Sequence, residues 1–104
     1  MEYILVLCTI NNFEKSKQIS KILVDEKLAA CVNIIPNLTS IYSWNSEIVE
    51  DKEFLMIIKT KKSLFESLKS RILELHDYEV PEVISFDINS GLDKYLNWIG
   101  EETK

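Results

Sequence analysis

Residues 48–60, Ile-Val-Glu-Asp-Lys-Glu-Phe-Leu-Met-Ile-Ile-Lys-Thr, decide how the rest of the chain is read. Their first half is acidic, with Glu50, Asp51 and Glu53, and their second half, Phe54-Leu55-Met56-Ile57-Ile58, is apolar at consecutive positions. Such a run predicts a long strand whose second half carries hydrophobic side chains on both faces, because successive residues of a strand point to opposite sides. Ile4-Leu5-Val6-Leu7 has the same character. Two central strands are therefore expected, in a sheet that needs cover on both sides.

Upstream of the long strand, Asn45-Ser46 predicts a hairpin turn. Before it, Cys31 to Ile35 and Thr39 to Trp44 read as two pieces of strand interrupted by Pro36-Asn37. Phe13 to about Lys27 reads as a helix with Ile19, Ile22, Leu23 and the later Leu28 at helical spacing, and Asn11 with Glu14 resembles its cap. Tyr3 to Thr9 is the first strand. Downstream, Ser63 to Leu75 predicts a helix with Ser63 and Glu66 in capping-box register and Leu64, Phe65, Leu68, Ile72 and Leu75 on one stripe. Val83 to Ile88 follows as a strand, and Leu92 to about Ile99 as a short helix after Gly91. The order is β-α-β-β-α-β plus a terminal helix, an α+β ferredoxin-like sandwich spanning residues 1–104 as one domain. Two helices cover one face of such a sheet. The other is too large an apolar patch for a monomer to leave bare, so self-association is expected.

The chain has 17 acidic and 12 basic residues, a net charge of −5, which repels phosphate backbones and favours cations as charged partners. The apolar run Tyr3 to Cys8 is too short to cross a bilayer and follows Glu2 instead of a basic region, so a cytoplasmic protein without membrane contact is expected. Cys8 and Cys31 have no CxxC spacing and read as reduced, buried small hydrophobes.

Leu28-Ala29-Ala30-Cys31-Val32-Asn33-Ile34-Ile35-Pro36 resembles the signature segment of the CutA divalent-cation tolerance family. Tyr42 and Trp44, Lys59-Thr60, His76 through Glu82 (HDYEVPE), and Tyr95-Leu96-x-Trp98 are similar to further family segments in the same order, so the resemblance covers nearly the whole chain. It departs at Asn45-Ser46-Glu47, where the family commonly has a Gly-Lys turn, and at Asp77, where it usually has Pro. The resemblance implies a compact homotrimer, similar to PII signalling proteins, linked with tolerance to divalent metals and with no secure reaction.

It also implies site residues. Family copper ligands match Cys8 in the first strand and His76 before the tyrosine motif, whereas a second histidine found in some members is here Leu75. A thiolate and an imidazole suit copper, but two donors are too few for a closed site, so a neighbouring subunit or carboxylates must complete it. The plainer reading makes Cys8 core packing and His76 a helix-end residue. Glu74, His76, Asp77, Glu79 and Glu82 lack the glycine and alternation of a calcium loop and read as solvated surface. Matching positions in the family place Glu53, Lys59, Tyr78 and Glu82 at a cleft between subunits, with Trp44 and Trp98 as aromatic caps. Structural ion pairs and interface filling are the alternatives for these residues.

Three other classes fit poorly. An acylphosphatase-like enzyme needs an arginine in its anion loop, and Arg71, the only arginine, lies inside the second helix. A metallochaperone wants two thiols in the first loop, where Cys8 stands alone. An RNA-binding module wants basic residues among its aromatics, and the neighbours here are acidic. The expectation is a non-enzymatic trimer that binds a metal ion or small ligand, needs no resident cofactor and has copper as its candidate divalent cation. The alternative is a structural or signalling trimer that binds a partner protein or small anion with no physiological metal.

Overall fold

The computed structural model describes residues 1–104. Its elements are β1 (Tyr3–Ile10), α1 (Phe13–Asp25), β2 (Cys31–Trp44), β3 (Glu47–Lys61), α2 (Phe65–Leu75), β4 (Ile84–Asp87) and α3 (Asp93–Glu102), with a 3₁₀ turn at Lys62–Leu64 leading into α2. The sheet is antiparallel in the order β2-β3-β1-β4, the ferredoxin-like arrangement.

Register assigns the two faces. Ile4, Val6, Cys8 and Ile10 of β1 lie opposite Thr60, Ile58, Met56 and Phe54 of β3. These residues point to the helices, where Ile19 and Leu23 of α1 and Leu68 and Ile72 of α2 close a core from which water is excluded. Each of those aliphatic side chains contributes about 1.5–3 kcal/mol by burial. Leu5, Leu7, Leu55 and Ile57 point the other way, joined by Ile35 of β2 and by Ile84 and Phe86 of β4. No helix covers the middle of that face, and Ile35, Ile84 and Phe86 are 45%, 46% and 53% exposed. The doubly apolar character of 54–58 thus has its expected structural result.

Several local readings are corrected. Asn12, not Asn11, caps α1, its Oδ1 accepting from the Lys15 N–H at 2.9 Å. The two asparagines are equivalent in propensity, and only the exit angle of β1 selects between them. Ser63 does not cap α2: the Phe65 N–H bonds the Lys62 carbonyl, so Ser63 lies inside the 3₁₀ turn. Cys31 is half-exposed on an edge strand, whereas Cys8 is buried, and neither is in a disulfide.

Pro36-Asn37 does not break β2. Pairing shifts from Ile35↔Leu55 to Leu38↔Glu53, so two residues of β2 oppose Phe54 alone, and Asn37 adopts φ 60° at this bulge. Beyond it, β2 and β3 continue as a two-stranded arm that closes at Asn45-Ser46, whose φ of 50° and 64° match a two-residue I′ turn. The arm gives the chain its 44 Å length against 25 and 23 Å in the other directions. Ile41 and Ile48 on it are 67% and 84% exposed.

Ile99 anchors α3 in full burial. Lys61 Nζ donates to the carbonyls of Thr103 and Lys104, holding the terminal turn to the end of β3. A Cβ at Gly100 would stand 2.9 Å from the Tyr3 hydroxyl, so a larger residue there displaces the end of the Tyr3 side chain. No helix is long and apolar enough to cross a membrane.

Candidate functional site

The bulge builds the site by changing phase. Up to Ile35 the odd residues of β2 share a face with Leu55 and Ile57. After the extra residue the even ones do, so Leu38, Ser40, Tyr42 and Trp44 lie opposite Glu53, Asp51, Val49 and Glu47. Two aromatic side chains thereby join three carboxylates on one side of the arm, of which Asp51 and Glu53 line the cleft described next. The loop after α2 supplies the opposite wall, and the result is a cleft of about 570 Å³. Ser40, Tyr42, Trp44, Asp51 and Glu53 line it from the arm, Tyr78, Glu79, Val80 and Glu82 from the loop. A shallower hollow of about 650 Å³ beside α1 and β2, lined by Ile22, Val24 and Val32 among others, is unconnected with these groups.

His76 fixes the loop. It ends α2, with its N–H bonded to the Ile72 carbonyl at 2.8 Å, and its ring is buried against the end of β1. The Tyr78 N–H donates to Nδ1 at 3.1 Å, so that nitrogen carries no proton. Nε2 carries it and donates to the Thr9 carbonyl at 2.8 Å. The Tyr78 ring packs edge-on against the imidazole, centroids 4.5 Å apart, and its hydroxyl donates to Glu53 Oε2 at 2.6 Å. One chain of bonds therefore joins β1, α2, the loop and β3.

The carboxylates have no cationic partner. Glu53 is 5% exposed, and none of the chain's ion pairs includes Asp51, Glu53, Glu79 or Glu82. Tyr42 donates its hydroxyl to Asp51, which raises its own pKa. Glu82, at the rim, titrates above the ordinary carboxylate range because its inward flank is desolvated and the Glu53 charge is near. Burial, then the Tyr78–Glu53 hydrogen bond, hold the Tyr78 phenol well above its usual value.

Cys8 and His76 do not fit a soft-metal site within this chain. Burial, then the charges of Glu82 and Glu53, push the Cys8 thiol up to about 12, which disfavours the thiolate a metal needs. Both ring nitrogens of His76 are already engaged, and no three His, Cys, Asp or Glu side chains converge on one point.

Of the other expected residues, Trp44, Glu53, Tyr78 and Glu82 share the cleft. Lys59 does not line it: it pairs with Leu5 and Cys31 in the ladder and donates to Asn33 Oδ1. At six residues along β3 from Glu53, it lies about 20 Å away. Trp98 stacks near Tyr95 on α3 with centroids 5.5 Å apart and lines no part of the cleft. Sequence reasoning missed Tyr42 and Asp51 as lining residues. For Tyr42 the signal was the Pro36-Asn37 interruption, whose one-residue phase change brings it to this face; for Asp51 it was the alternation of β3, which puts it on the side of Glu53.

Comparison with known proteins gives the same grouping. The chain is 49% identical over 98 residues to the divalent-cation tolerance protein CutA of Thermus thermophilus, covering 94% of this chain and 95% of that protein. It is 46% identical to the chloroplastic protein CutA of Arabidopsis thaliana over 97% of its own length, and spans only 56% of that longer protein. The crystal structure of CutA1 from Oryza sativa superposes with a TM-score of 0.98 at 41% identity, covering 100% of this chain and 95% of that one. The family model described as CutA1 divalent ion tolerance protein matches residues 4–102. The chain belongs to the CutA1 divalent ion tolerance protein family.

Proposed function

We propose that this chain is a cytoplasmic, PII-like homotrimer that serves divalent-metal tolerance by binding a cation or small ligand, and that it catalyses no reaction. The observation that carries the reading is the cleft. A nearly buried carboxylate without a basic partner, ringed by three further carboxylates, opens beside the uncovered apolar sheet face. Burying a charge without a counter-charge is costly, and a bound cation offsets that cost. Association through the open face and the exposed arm puts the cleft between subunits, where a neighbour supplies the donors that one chain lacks for a metal ion. The names of the matched relatives, which speak of cation tolerance and of no reaction, agree with this. A small anion is the weaker alternative, since the cleft contains no Lys, Arg or His.

Titration of copper, zinc and magnesium into wild type, Cys8→Ala and Glu82→Gln tests the proposal and separates it from copper at Cys8 and His76. Divalent-ion binding that survives Cys8→Ala and weakens in Glu82→Gln is expected. Stoichiometric copper binding lost only in Cys8→Ala would place the metal at the thiol and refute the cleft.

A further inference from the structure

We propose that the cleft of each subunit takes an extended organic polycation, a linear polyamine with ammonium groups several bonds apart. The inference rests on the reading of the cleft as a cation site and names the ligand class. Four observations lead to it.

The first is a largely buried carboxylate that keeps one oxygen free of protein donors. Glu53 is 5% exposed, Tyr78 occupies Oε2, and no protein group bonds Oε1. No buried side-chain oxygen or nitrogen of this chain lacks a partner, so Oε1 is open to solvent, and Glu53 lines the cleft. The second is the spacing of the acids: Asp51, Glu53, Glu79 and Glu82 all line the cleft, yet no three converge on one point. A compact ion needs convergent oxygens, whereas separate ammonium groups on one aliphatic chain are satisfied by separated carboxylates. The third is the aromatic content. Trp44, Tyr42 and Tyr78 present ring surface, which attracts ammonium groups and covers methylene segments, two properties a hydrated metal ion does not use. The fourth is size. At about 570 Å³ the cleft is far larger than a metal ion requires and lies within the range of small-molecule sites.

The test is calorimetric titration of the full-length chain with spermidine at low salt, with sodium chloride at matched ionic strength as the control. Glu82→Gln and Trp44→Ala are compared with Asp93→Asn, which removes an equal charge from exposed α3. Saturable spermidine binding is expected, weakened about tenfold by Glu82→Gln and by Trp44→Ala and unchanged by Asp93→Asn. Absence of saturable binding overturns the proposal. Equal weakening by Asp93→Asn does so too, because it reduces binding to diffuse charge. Sedimentation of the same samples keeps the two readings apart: trimers that ignore spermidine refute only the ligand class, and folded monomers that bind it refute only the assembly.

Discussion

Tyr78→Phe removes one hydroxyl and leaves its ring against His76. The lost bond is 2.6 Å long and ends on a carboxylate that is 5% exposed. A hydrogen bond to a charged acceptor contributes about 1.5–3 kcal/mol, and its loss leaves Glu53 without any protein donor. For a domain of this size that corresponds to a fall in melting temperature on the order of 10 °C, measured at fixed protein concentration because association contributes to apparent stability. Denaturant unfolding with an unchanged m-value measures the difference. In a Glu53→Gln background the acceptor is neutral and the same substitution should cost only about 0.5–1.5 kcal/mol. A cost below about 0.5 kcal/mol in wild type, or equal costs in both backgrounds, would show that the tyrosine does not support a buried charge.

Three further outcomes follow from the geometry. Ser46→Gly should raise stability by roughly 1 kcal/mol, since Ser46 holds φ 64° in the arm turn and glycine occupies that region without a Cβ clash; a loss in thermal melts would contradict the turn. Glu82 is held above its ordinary pKa, so folding disfavours its charged form: the penalty is absent below the unfolded value of about 4.3 and grows as pH rises through the folded value. Glu82→Gln should therefore raise the melting temperature at pH 7 and leave it nearly unchanged at pH 3, and the opposite trend would refute that sign. Ile57→Asp puts a charge in the middle of the open face, beside Leu7 and Asn33, and should weaken assembly by about 3–5 kcal/mol, read by sedimentation as dissociation; unchanged assembly would show that this face is not the interface.

Much of this fold is legible in the sequence because its decisive features are local and repetitive. The unbroken apolar runs at 4–7 and 54–58, rich in β-branched residues and bounded by polar segments, read as central strands, and their double-sidedness already implies the open face. What stayed hidden depends on distances between elements. Asn11 and Asn12 are alike in propensity, and the path of the chain out of β1 chooses the cap. Pro36-Asn37 signals a discontinuity, but only pairing tells a bulge from a break, and the bulge moves Tyr42 to the side of Asp51 and into the cleft. His76 illustrates the same limit in the site. Sequence marks it as a helix-end imidazole with a family likeness to a metal ligand, yet the Thr9 carbonyl and the Tyr78 N–H, which use both nitrogens, come from 67 residues away and from the next turn of the loop. Lys59 shares its strand with Glu53, and only register shows that it faces Asn33 at the far end of the sheet.

Native mass spectrometry of dilute protein purified without added metal tests the central claim most directly, because it weighs subunits and ligand together. The account predicts a particle of three 12.1 kDa chains with the open sheet faces and arms buried between them, and no appreciable folded monomer at low micromolar concentration. A stably folded monomer under those conditions would contradict it, since the exposed Ile35, Ile84 and Phe86 would then need no partner.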